Sequence, residues 1–169
     1  MAIKYPDGSD SDSGRVIQVQ FSNYGTQKNA GGGLSSSSFT STGLECTITP
    51  KSTSNKILIW YDQSWFYQTA SPSDGTAQGL GLRLYRGSTE ITGRSTYNDW
   101  YQDMGAQPNQ RIHGRSASQF VDSPNTTSAV TYSVKIQYHT TDYSDIRVQY
   151  TDGSSTESRS YMTLMEIAA

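Results

Sequence analysis

The sequence predicts an all-β chain, an antiparallel jelly-roll β-sandwich, on three observations. Apolar residues alternate with polar ones in eight or more short stretches, the period of half-buried strands, and no segment carries a helical period of useful length. Clusters of Gly, Pro, Asn, Asp and Ser divide those stretches at intervals of about 8–12 residues, the spacing of a sandwich or barrel. The composition agrees: Ser and Thr exceed a quarter of the 169 residues, with 12 Tyr and 15 Gly, which favours sheet and turn over helix.

Residues 1–14 are expected to form an extended arm, because Pro6-Asp7-Gly8 and the Ser/Asp run that follows are too polar to bury. The aspartates at 7, 10 and 12 do not fit an EF-hand loop and no bidentate Glu follows, so a solvated arm is favoured over a calcium site. The sandwich domain then spans 15–169. Its first strand alternates Ile17, Val19 and Phe21 with Val16, Gln18 and Gln20. From Ser22 to Ser38 the Gly31–Gly33 and Ser35–Ser38 runs read as a mobile insertion; a phosphate-cradling role would need a strand before and a helix after.

The stretch from Gly43 to Trp60 organises the rest. It reads as strand, polar turn, strand, an expected hairpin: Leu44, Cys46 and Ile48 share one face, Pro50 ends the ladder, and Ile57-Leu58-Ile59-Trp60-Tyr61 is the longest β-favouring apolar run. Being apolar on both faces, that run suits a central strand buried in a sandwich. After the turn at Ser71–Gly75, Leu80, Leu82 and Leu84 mark another strand, which turns tightly at Arg86–Thr89 into a short one. Arg94–Gly114 is the least regular long stretch, yet rich in aromatics. Strands resume at Arg115–Phe120, at Val130–Tyr138 with a clean alternation, at Ile146–Tyr150, and at Tyr161–Ile167.

Charged residues make up only 17% of the chain and the net charge is -2, so there is no basic field for nucleic acid and no polybasic patch for a membrane. No apolar run approaches the roughly 20 residues of a membrane-spanning helix, and the N-terminus lacks the apolar core of a signal peptide. Cys46 is alone and reads as a small core residue. The histidines are His113 and His139 only, in or beside a loop and on a polar strand face respectively, and no nucleophile elbow, metal spacing or phosphate loop accompanies them. No catalytic residue, metal or cofactor is therefore expected. Asp99 and Asp103 could in principle act as a carboxylate pair, but their aromatic neighbours are useful without catalysis.

Three stretches together carry a family resemblance: Gly43–Pro50 with Ser54–Ile59, Phe120–Ser128 with Tyr132–Lys135, and the terminal Met165-Glu166-Ile167-Ala168. The set resembles a family of domains in structural proteins of tailed bacteriophages, common in marine and cyanobacterial phages, over residues 15–169. The resemblance implies a C1q- or TNF-like jelly roll, usually a trimer on the virion surface, without catalytic machinery. The chain departs from it in the glycine-rich loop at Gly31–Gly33 and the aromatic loop around Trp100. With only about fourteen residues before the first strand, it looks more like a capsid decoration or cement subunit, or a small tail component, than a whole fibre.

The expectation is therefore a non-enzymatic, homotrimeric virion-surface protein, made in the host cytoplasm, whose partners are itself and other capsid or tail proteins. The arm residues Ile3, Lys4, Tyr5, Pro6 and Asp7 are candidates for the virion contact. Ile57, Ile59 and Tyr61 with Tyr132, Val134, Ile136 and Tyr138 are candidates for the core and threefold contacts. Tyr97, Asn98, Asp99, Trp100 and Tyr101 form a candidate lattice-contact or ligand loop. The rival reading is a tail-fibre or tail-tip module that recognises a host surface glycan through that loop. Trp60 and Trp65 lie in strand pattern and are assigned to core or subunit interface, and the Asn125-Thr126-Thr127 sequon is expected to be inert.

Overall fold

The computed structural model describes residues 3–4, 10–11, 14–30, 33–69, 76–92, 99–104, 110–139, 143–150 and 158–169. Among them run β1 (Ile3–Lys4), β2 (Asp10–Ser11), β3 (Val16–Tyr24), β4 (Lys28–Asn29), β5 (Thr40–Ile48), β6 (Lys56–Thr69) and β7 (Thr76–Arg86). They are followed by β8 (Thr89–Glu90), β9 (Trp100–Met104), β10 (Arg111–Asp122), β11 (Val130–Tyr138), β12 (Tyr143–Val148) and β13 (Ser160–Ile167). β1 and β2 pair only with each other; Tyr5, Pro6 and Asp7 lie outside the described residues. The others build two antiparallel sheets that pack as a β-sandwich.

One sheet is centred on β6, 14 residues long. β10 pairs with β6 in unbroken register from Asp122↔Ile57 to Arg111↔Gln68. The other edge of β6 is shared: β13 pairs with Lys56–Asp62 and β12 with Trp65–Thr69. β3 lies beyond β13, and β4 beyond β12. Between the two partners, Gln63 and Ser64 need substitute bonds, since buried backbone donors are rarely left open. Ser160 supplies them, its Oγ accepting from Ser64 N at 3.0 Å and from Gln63 Nε2 at 2.9 Å. The second sheet orders β5, β11 and β7, with β8 and β9 both on β7. The two-residue turn at Gly87-Ser88 is as expected, with Gly87 at φ 56°.

The core fills the space between the sheets. Leu44, Cys46 and Ile48, Leu80, Leu82 and Leu84, and Tyr132, Val134, Ile136 and Tyr138 face Ile57, Ile59, Tyr61, Ile146, Val148, Met162 and Leu164. The Tyr132 hydroxyl ties the sheets by donating to Asp122 at 2.8 Å, where Arg86 also binds. Burial, then the bond to Asp122, pushes the Tyr132 phenol well up, so it remains a donor. Burial likewise pushes the Cys46 thiol up, against a smaller opposing pull from the Thr47 backbone.

The structure corrects three sequence expectations. The Gly43–Trp60 stretch is not a hairpin: β5 pairs with β11 and β6 with β10, so residues 49–55 cross from one sheet to the other. Residues 22–38 are not a featureless insertion, because β3 runs through Tyr24, Lys28–Asn29 pairs with β12, and Leu34 is buried in the core. Gly43 has φ 91°, and a Cβ there would overlap the Tyr24 ring, so β3 folds down onto β5 at this point. Finally, the irregular aromatic stretch contains β9, and β10 begins at Arg111 rather than Arg115.

What makes 49–55 a crossover is Glu166 on β13. Its carboxylate is fully buried and accepts from Lys51 N, Asn55 Nδ2 and Gln18 Nε2, each at 2.6 Å. Burial alone would raise its pKa; the bonds from Asn55, Gln18 and the Lys51 and Ser52 backbone together outweigh that and hold it below the usual carboxylate value. A carboxyl depressed on folding contributes stability above its unfolded pKa of about 4.3, and loses it as pH falls through the lower folded value. Glu166→Gln should therefore cost about 1–3 kcal/mol at pH 7, because an amide cannot accept at both oxygens. Denaturant titrations from pH 7 to pH 3 should show the wild type converging on the variant at the acid end; a constant gap would disprove this role.

Candidate functional site

The two outer faces of the sandwich differ in kind. On the five-stranded sheet the outward residues are polar or polar-capped: Thr47 and Thr131 share a 2.7 Å hydrogen bond, Lys135 Nζ lies 3.9 Å from the Tyr85 ring centroid, and Arg83 pairs with Glu90 at 2.6 Å. Arg83 also lies 3.9 Å from the Phe39 ring centroid. Such a surface is at home in water.

The outer face of the other sheet carries a cluster of exposed apolar side chains. Directly paired residues share a face, so the registers place Val121, Leu58, Met165 and Val19 in one row across β10, β6, β13 and β3. The next row is Gln119, Trp60, Thr163 and Phe21, and the next Ala117, Asp62, Tyr161 and Asn23. Val121 is 62% exposed, Phe21 61%, Val19 52%, Trp60 50% and Tyr161 40%. β3 is inverted relative to an ordinary surface strand: Ile17, Val19 and Phe21 point away from the sandwich, while Gln18 points in and bonds Glu166.

Between Trp60 and Tyr161 lies a shallow pocket of about 280 Å³, lined also by Tyr61, Asp62, Ala117 and Thr163. Phe21 stacks on the far side of it, 6.2 Å from Tyr161 between ring centroids. Arg115 closes the end, its Nε 2.9 and 3.0 Å from the two oxygens of Asp62 and its Nη2 on the Arg159 carbonyl. This ion pair is exposed and adds little stability, but it leaves the face locally neutral.

The sequence-proposed residues fall elsewhere. Ile57, Ile59, Tyr61, Tyr132, Val134, Ile136 and Tyr138 lie between the sheets, at most 6% exposed, and have no surface to offer a second molecule. Trp60 and Trp65, grouped together from the strand pattern, separate: Trp65 is buried with its Nε1 on Ser116, where its ring lies over Gly114, whereas Trp60 stands outside. Tyr97 and Asn98 are outside the described residues. Asp99 is engaged with the backbone, accepting from Leu82 N at 2.6 Å. Trp100 is half-buried, its ring 4.5 Å from Tyr67 and 6.3 Å from Trp65 between centroids, so the side chain expected to meet a ligand packs on the core. Tyr101 is half exposed.

Ile3 and Lys4 stand in β1, paired with Ser11 and Asp10. His113 packs against Phe66 and Tyr150 at 4.8 and 5.2 Å. Among the described residues no three His, Cys, Asp or Glu side chains gather in a way that could hold a metal ion. Val19, Phe21, Val121 and Tyr161 were not singled out from the sequence as a site. The signal for them was present in the apolar parity of β3 and in the apolar residues on both parities of β6.

The placement of Trp100 gives a direct expectation. Trp100→Ala should cost about 2–3 kcal/mol of stability, somewhat less than the ~3–5 kcal/mol of a fully buried aromatic, and thermal unfolding measures it. An unchanged melting temperature would mean that the ring is free for a ligand after all. No protein-family model matches the chain, and no curated protein matches it either.

Proposed function

We propose that this chain is a non-enzymatic structural protein of a tailed-phage virion, a jelly roll displayed on the particle surface as a homotrimer and serving in capsid decoration. The observation that carries the reading is the nesting of its strand pairs. β3 pairs with β13, β5 with β11, β6 with β10 and β7 with β9. Outermost pairs with outermost and innermost with innermost, which is the pattern of one long antiparallel ribbon rolled into two facing sheets. The motif stretches that carry the phage resemblance fall on the structural joints of that roll. Gly43–Ile59 spans the crossover, Phe120–Ser128 spans the turn from β10 to β11, where Asn125 has φ 53°, and Glu166 is the buried carboxylate that ties β13 to the crossover.

A glycan-binding tail module is the second reading, favoured by Tyr101 standing half exposed next to Trp100. Immunogold electron microscopy of intact virions with an antibody to this chain separates the two. Label over the head is the expected result. Label confined to the tail tip or fibres would transfer the proposal to receptor binding, and unlabelled particles would overturn the virion reading.

A further inference from the structure

We infer that the outer face of the six-stranded sheet, centred on Trp60, is a contact between copies of this chain. The inference rests on the assembly reading above and goes beyond it by naming the surface. Three independent features lead to it. β3 presents Ile17, Val19 and Phe21 outward and turns Gln18 in to bond Glu166, the reverse of a solvent-facing edge strand. The β6 run Ile57–Tyr61 is apolar on both parities, yet within one chain the outward parity is buried only farther along, at Ser64 and Phe66, and Trp60 is left half exposed. Among the described residues the exposed large apolar side chains all belong to β3, β6, β10 and β13, except Tyr101.

A second copy fits this face in size and in charge. Four strands about 4.8 Å apart and five residues from Leu58 to Asp62 give a flat footprint of roughly 19 Å by 17 Å, about 320 Å². With the relief of its protruding side chains the patch is of the size that the smaller specific contacts bury, below the ~800 Å² that each partner contributes to a standard interface. Within the face Asp62 and Arg115 neutralise one another, so two copies can approach without burying an unpaired charge, and Lys56 sits at its end where water remains available. The pocket between Trp60 and Tyr161 supplies the concave centre, flanked by aromatic rings of the kind that dominate interface energetics.

A saccharide stacking on Trp60 is a less complete occupant, because it leaves Val19, Val121 and Leu58 without a function. Those aliphatic side chains suit burial against protein.

The test is the mass of the native assembly, by size-exclusion chromatography with light scattering, for wild type, Trp60→Glu, Val121→Glu and the opposite-face control Thr47→Glu. Because Trp60 and Val121 are outside the core, near-ultraviolet circular dichroism and melting of each variant should remain those of a folded domain. The expected result is an assembled wild type and Thr47→Glu, with Trp60→Glu and Val121→Glu both folded and associating at least about 100-fold more weakly. An assembled wild type that both face variants leave intact would overturn this assignment and leave the assembly reading standing. A monomeric wild type would overturn both, and a monomer whose Trp60 fluorescence is quenched by a bound saccharide would replace the second copy with a sugar.

Discussion

The structure depends on β6 being hydrogen-bonded along both of its edges. Because β10 follows one edge for twelve residues and β13 and β12 divide the other, the register of β6 dictates which face each neighbouring side chain takes. One parity of β6 enters the sandwich with Ile57, Ile59 and Tyr61, and the other emerges with Leu58, Trp60 and Asp62. A slip of one residue would exchange the two sets and expose the core, so burial of one face pins the composition of the other. The apolar outer face is therefore a fixed surface, held in place by the same ladder that builds the core.

The two ends of the sandwich are held by different chemistry. At one end a buried carboxylate, in no ion pair among the described residues, is satisfied by three donors from two segments, which joins β3 and the 49–55 crossover to the C-terminal strand. Such an arrangement fixes geometry through direction as well as energy, since each donor must arrive along a lone pair of Glu166. At the middle of the sheet, Ser160 serves the backbone where β12 and β13 part company. Toward the aromatic end the packing is made by rings, with Trp100 set against both Trp65 and Tyr67. These side chains hold the roll together, and leave the large face of the six-stranded sheet as its most apolar open surface among the described residues.

Much of this was legible in the sequence, and the parts that were not share a cause. Period-two alternation located β5, β7, β11 and β13 and the inward residues Leu44, Leu82 and Val134, because local periodicity reports burial on one face directly. The same alternation cannot tell a hairpin from a crossover: Pro50 to Asn55 has ordinary turn chemistry, and the partners that set its course, Glu166 and the β10 and β13 ladders on β6, lie far away in the chain. Trp100 was misjudged for a similar reason. An aromatic in an irregular stretch has no period to reveal its side, and its packing on Tyr67 is a tertiary fact. At Trp60 the run Ile57–Tyr61 is apolar on both faces, and a single chain buries one of them and leaves the other half exposed. If a second copy covers the other, that pattern records the assembly rather than the monomer.

Hydroxyl-radical footprinting with mass spectrometry, on the native protein at concentrations above and below its dissociation midpoint, measures that covering directly. The account predicts that Trp60, Phe21 and Met165 are protected in the concentrated sample and become reactive on dilution, while half-exposed Tyr101 reacts alike in both. Equal reactivity of Trp60 at every concentration, in a protein that does assemble, would place the contact elsewhere and contradict the assignment of this face.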